Sequence, residues 1–192
     1  VAGYLAHADH HIGRLLAAAR SLPGGENTMI IYITGDNGAS PEGSMTGTEN
    51  NMLTQNGLKS NIEAQYKVLD ELGSYKHENH YGVPWSWAWS TPFQWMKRVA
   101  SHYGGTKNSV IISYPNQITE PGSVREQFHH VIDIAPTIYE VANIPEPTEV
   151  LGAPQIPIAG VSMAYTFNDK DAADRRTTQY FEVEGRRAIY HE

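Results

Sequence analysis

The run Met29-Ile30-Ile31-Tyr32-Ile33-Thr34 leads directly into Gly35-Asp36-Asn37-Gly38. Six apolar or β-branched residues in succession fit a strand covered on both faces, as in the interior of a parallel sheet. Open α/β sheets present ligands just beyond the carboxyl ends of their strands, which is where Asp36 and Asn37 fall. Both side chains offer hard oxygens, suited to Ca²⁺ or Mg²⁺ rather than to a soft metal. The flanking glycines permit a tight or left-handed backbone that lets the two side chains turn toward one point. Taken alone, an Asp-Asn-Gly after a strand reads as an Asx-type turn. Any larger role has to be argued from the rest of the chain.

That rest alternates helices and strands. Val1 to about Ser21 carries Leu5, Ile12, Leu15, Leu16 and Ala19 near helical spacing and stops before Pro23-Gly24-Gly25. Residues 39–57 are rich in Gly, Ser, Thr and Asn and read as a long loop. Asn61 to Leu72 reads as a helix with Asn61 as its cap and Gly73 closing it. Residues 74–90 read as an aromatic loop holding Tyr75, Tyr81, Trp85, Trp87 and Trp89, followed by a helix from Pro92 to about His102 after the cap-like Thr91. Val110–Tyr114 is a second strand of the doubly covered kind. Phe128–Val141 has helical periodicity, with Pro136 tolerable only in the first turn. Residues 145–157 are proline-rich, and Gln179–Val183, Glu184-Gly185 and Arg186–Tyr190 read as a hairpin in a small sheet of its own. The fold class expected is α/β with an appended antiparallel subdomain.

Composition narrows the function. The 192 residues are 40% hydrophobic, enough for a core, and carry 14 basic against 21 acidic side chains, a formal charge of −7. With no basic stripe, nucleic acid and anionic membrane surfaces are poor partners, and no segment has the apolar length of a membrane span. Cys is absent, which removes disulfides, thiolate metal sites and a cysteine nucleophile from this stretch. The sequence opens inside a helical pattern without Met and stops in a strand pattern, so a piece of a longer polypeptide is expected.

Four segments, in order, resemble the sulfatases, the arylsulfatase-type members of the alkaline phosphatase superfamily. They are Tyr32–Ser40; Thr91–Lys97 with Gly104-Gly105-Thr106; Gln127–Thr137; and Gln179–Glu182 with Arg187–Tyr190. The resemblance implies an alkaline-phosphatase-like mixed sheet flanked by helices, only partly contained here. It implies that residues 1–145 form the C-terminal part of the catalytic domain, with 146–192 the linker and the start of the small antiparallel subdomain. It assigns Asp36 and Asn37 to a divalent cation, Ca²⁺ with Mg²⁺ as the alternative, and Lys97 to the sulfate of a small, aryl, sulfate ester. An ammonium there can stabilise charge developing on the leaving oxygen. The family hydrolyses its ester through a formylglycine made in a Cys/Ser-x-Pro-x-Arg motif. No such motif occurs in this sequence, so the piece should be inactive alone, with its exposed sheet covered by the rest of the parent chain or by self-association.

The remaining chemistry-bearing residues carry weaker signals. His129 and His130 open a helix and are read as packing or capping residues. His7, His10 and His11 lie on the first helix. Of His77, His80 and His102, all near the aromatic segment, His102 is the candidate substrate contact. Trp85, Trp87 and Trp89 could line an aryl pocket, but buried anchors for a long loop are the simpler expectation. Two other functions stay open: phosphate or phosphonate ester hydrolysis within the same superfamily, and a non-catalytic α/β module whose Asp-Asn-Gly turn binds an ion for structure.

Overall fold

The computed structural model describes residues 1–35 and 37–192. Within them lie helices α1 (Ala2–Ser21), α2 (Asn51–Gln55), α3 (Ile62–Lys67), α4 (Val83–Ser90) and α5 (Ile134–Val141). Three two-stranded sheets pair β1 (Ile30–Thr34) with β2 (Ser109–Ser113), β3 (Glu149–Val150) with β4 (Ala153–Pro154), and β5 (Thr178–Val183) with β6 (Arg186–His191). The chain forms two compact units, one of Val1–Gly25, Ile31–Ile112 and Tyr180–Ala188, the other of Glu26–Ile30, Ser113–Gln179 and Ile189–Glu192.

Several elements follow from local chemistry. The Asn61 side chain accepts the Ala64 amide at 2.7 Å and starts α3, as its cap pattern predicts. Pro136 sits in the first turn of α5, where its missing N–H costs nothing. Glu184 and Gly185 have φ of 52° and 77°, the paired left-handed geometry of a two-residue type I′ hairpin turn between β5 and β6. The proline-rich stretch contains the β3–β4 pair, in the register Glu149 to Pro154 and Val150 to Ala153.

Three expectations are corrected. First, β1 and β2 are not doubly covered: Ile33 is 38% exposed and Ile111 59%. Each has only the other as sheet partner among the described residues. Their apolar runs record a demand for cover that this chain does not itself meet. Second, α4 occupies the segment expected to be an aromatic loop. Third, residues 92–102 form turns rather than a helix, because Trp95 (φ 66°) and Arg98 (φ 75°) are left-handed and interrupt any helical run.

The second unit is organised around one buried ion pair. Asp133 and Thr137 are fully buried. The Asp133 carboxylate accepts the amides of His130 and Val161, both at 2.8 Å, and is clasped by Arg176 through Nε at 3.1 Å and through Nη2. Thr137 donates to the Asp133 carbonyl at 2.6 Å and accepts the Met163 amide at 2.8 Å, tying α5 to the strand-free segment beyond it. The His130 ring caps this turn by accepting the Ile132 amide at 3.4 Å. His129 packs with its Nδ1 3.5 Å from Asp133 Oδ2. The family-based reading of both histidines as structural therefore agrees with their surroundings. Phe128 stacks on Tyr190 with ring centroids 3.9 Å apart, adding an apolar seal.

Burial alone would raise the Asp133 carboxyl, but the Arg176 guanidinium and the two backbone amides outweigh it and hold it below the usual carboxylate range. Burial lowers His129 and His130, against the opposing pull of Asp133. Removing one partner of the pair strands the other charge, so Arg176→Ala should destabilise the chain by about 3–5 kcal/mol. The pH dependence follows from proton counting. The unfolded chain protonates its histidines near pH ~6.5 while native His129 and His130 stay neutral, so stability falls as pH drops through that value. Native Asp133 stays ionised below its unfolded value near ~3.9, so a second loss follows there. Urea midpoints measured from pH 8 to pH 3 should fall in two stages; a midpoint that rises between pH 7 and pH 5 would contradict this account.

Candidate active site

The first unit brings the turn after β1 against the segment that carries Lys97. Beyond Thr34, Gly35 has φ 87° and Gly38 φ 92°, left-handed values that suit glycine. Asp36 lies outside the described residues. Asn37 is exposed. One residue further on, the Ala39 carbonyl accepts the Lys97 amide at 3.1 Å. The approach is so close that a Cβ on Gly38 would overlap the Gly104 carbonyl oxygen and stand 2.8 Å from the Lys97 nitrogen.

Lys97 itself is half-buried between two anchors, Met96 at 5% exposure and Ala100 at 4%. The left-handed Trp95 and Arg98 flank this short stretch. Non-glycine residues in that region cost about 1–3 kcal/mol each and are found where surrounding structure holds them. Gly104 helps hold them: its amide donates to the Gln94 carbonyl at 3.0 Å, and a Cβ there would overlap the Gln94 and Trp95 carbonyls. The paired glycines are thus close-packing positions. On the other side, the β5–β6 turn reaches the same stretch. Glu184 pairs with Arg98, and Arg186 donates to the Arg98 carbonyl at 3.3 Å.

The tryptophans are not buried anchors. Ser86 is the fully buried residue of α4, donating to the Ser40 carbonyl at 2.5 Å. Trp85, Trp87 and Trp89 are 59%, 43% and 41% exposed. Small residues at Gly82, Ser86 and Ser90, one helical turn apart, let α4 lie against the 40–48 loop, and the indoles are turned outward. Val83 donates to Ser44 at 2.8 Å, and Thr48 and His80 exchange backbone bonds at 2.9 Å. Pro84 in the first turn and that small-residue spacing were the sequence signals for this helix. Trp87 lies 5.5 Å from Trp95, centroid to centroid, and Trp95 lies 5.9 Å from His102. The His102 Nδ1 shares a hydrogen bond with Ser101 Oγ at 2.9 Å. Trp87, Trp95 and His102 therefore form a half-exposed aromatic row, with Trp95 two residues before Lys97 in the chain.

The sulfatase family model matches residues 2–144. An arylsulfatase of Klebsiella aerogenes is 28% identical over 164 residues, covering 85% of this chain and 33% of that protein. An uncharacterized sulfatase of Schizosaccharomyces pombe is 32% identical over 139 residues, covering 72% of this chain and 24% of its own length. The chain belongs to the sulfatase family. It spans about a third and a quarter of the length of these two relatives.

The contact between the two loops gives a direct expectation. Gly38→Ala adds a methyl where backbone already stands and forces a left-handed alanine, so the loops should part. The Lys97 amide, measured by hydrogen exchange, should lose protection by roughly tenfold or more, the equivalent of about 1.4 kcal/mol. Unchanged protection would mean that the bond to Ala39 does not hold the loops together.

Proposed function

We propose that this chain supplies one side of a sulfatase active site, acting on a small aryl sulfate ester within an alkaline-phosphatase-like mixed sheet. The observation that supports the reading is the hydrogen bond from the Lys97 amide to the Ala39 carbonyl, two residues beyond Asn37, within the span that matches the sulfatase family. The donor chemistry fits a hard cation. Asn37 and Asp36 offer side-chain oxygens as ligands, and the left-handed Gly38 that follows Asn37 packs closely against the Lys97 backbone. When bound there, Ca²⁺ would neutralise negative charge on the sulfate.

Lys97 binds a sulfate oxygen from the other side and stabilises charge as it develops on the ester oxygen. Trp95 and Trp87 take the aryl ring by offset stacking, and His102 closes the row as a substrate contact. The formylglycine nucleophile belongs to a motif this sequence does not contain, so the 192 residues alone bind ester without turning it over.

The test is steady-state hydrolysis of 4-nitrophenyl sulfate by the gene product that carries this sequence. Lys97→Ala should lower kcat/KM by roughly 10²–10³. Trp95→Ala should raise KM about three- to tenfold with kcat nearly unchanged, the loss of one stacking contact. Turnover of 4-nitrophenyl phosphate in preference to the sulfate would move the protein to phosphate ester chemistry. Activity indifferent to Lys97 would remove that residue from the site.

A further inference from the structure

Helix α1 carries His7, His10 and His11, which neither the fold nor the proposed site uses. The half-buried positions of α1 are Ala8, Ile12, Leu16, Ala19 and Arg20. At 3.6 residues per turn these define one stripe, and His7, His11 and Arg14 fall on the side away from it. All three histidines are exposed. The cluster is therefore on the outward face of the helix, clear of its packing stripe.

His7 and His11 are four residues apart, one turn above the other, with ring centroids 4.4 Å apart and planes crossed at 69°. Two imidazoles that share one ion at about 2.1 Å per bond hold their centroids roughly 5 Å apart. The pair thus stands within a small rotamer adjustment of joint coordination. Imidazole is a ligand for Zn²⁺ and Cu²⁺ and a poor one for Ca²⁺. We propose that His7 and His11 form a two-imidazole clamp for a borderline transition-metal ion on the outer face of α1, a site chemically distinct from the hard-oxygen pair Asp36 and Asn37. Among the described residues no group of three or more His, Cys, Asp or Glu side chains could hold a metal. The clamp accordingly supplies two ligands, and water completes the shell.

Two neighbours set its selectivity. His10 contacts His11 edge to face, centroids 5.2 Å apart, but its position on the helix turns it away from the shared edge of the pair. Arg14 Nη1 lies 2.9 Å from His11 Nδ1. A guanidinium can only donate, so Nδ1 accepts and the neutral ring carries its proton on Nε2. Coordination through Nε2 moves that proton to Nδ1 and breaks the bond to Arg14. Arg14 is therefore a built-in competitor of the ion.

The experiment titrates the gene product that carries this sequence with ZnCl2 and with CuSO4 by calorimetry, and reads nitrogen hyperfine structure from the bound Cu²⁺. One ion per chain, held by two imidazole nitrogens, is expected. His7→Ala and His11→Ala should each weaken binding roughly tenfold or more, and His10→Ala less than about threefold. Arg14→Ala should tighten it about two- to fivefold by freeing Nδ1. Asn37→Ala and excess CaCl2 should leave it unchanged, which keeps this result independent of the proposed catalytic cation. Equal losses for all three histidines would reduce the clamp to a diffuse histidine patch, and weaker binding in Arg14→Ala would overturn the assigned ligand atom. Helix content from circular dichroism confirms that each variant keeps α1; single-nitrogen coordination in the wild-type chain would end the proposal.

Discussion

The hydrogen bond from the Lys97 amide to the Ala39 carbonyl is the contact on which the functional reading depends. It joins two segments nearly sixty residues apart, one just beyond the turn after β1 and the other a stretch that carries Lys97 between the buried Met96 and Ala100. Nothing in either segment alone would make a site. The bond can form only because Gly38 and Gly104 present no side chain between the two backbones. The strained Trp95 and Arg98 are held by the same packing, with the β5–β6 turn gripping Arg98 through Glu184 and Arg186. Fixing the Lys97 main chain fixes the point from which its side chain starts, and such positioning is what electrostatic stabilisation of a transition state builds on.

The two units are stabilised in different ways. In the unit that holds Asp133, a fully buried carboxylate is satisfied by two amides and one guanidinium, and Thr137 extends the network into α5. Such a network fixes geometry more than it adds stability, because desolvation offsets much of the attraction. In the other unit, interlocking loops and close backbone contacts replace a deep core. Met96 and Ala100 are its buried apolar residues, while the faces of β1 and β2 remain open.

Much of the fold could be read from local rules. The Asn61 cap, the first-turn Pro136 and the Glu184-Gly185 turn each depend on two or three residues, and the structure has all of them. What escaped reading was set by tertiary contact. The Trp-rich segment looked like a loop because α4 is apolar all round; its packing face is the small-residue row of Gly82, Ser86 and Ser90. The Pro92–His102 segment looked helical because nothing in its residue types announces left-handed Trp95 and Arg98. The strand-end pattern and the resemblance to the sulfatases pointed to Asp36, Asn37 and Lys97, and nearness to the aromatic segment pointed to His102. The proximity of the Lys97 backbone to the turn after β1 and the aromatic row came from packing that no spacing rule encodes.

The central claim is that a cation on the Asp36-Asn37 turn and the Lys97 ammonium flank one sulfate. Binding of two such ligands must then be reciprocal. The most direct measurement is the affinity of the gene product for benzenesulfonate, a non-hydrolysable aryl anion, with and without Ca²⁺. The account predicts that Ca²⁺ tightens sulfonate binding by about fivefold or more in the wild-type protein, the lower end of typical coupling. The coupling should vanish in Asn37→Ala, and sulfonate binding itself should be lost in Lys97→Ala. Sulfonate affinity that ignores Ca²⁺ and survives the loss of Lys97 would contradict it.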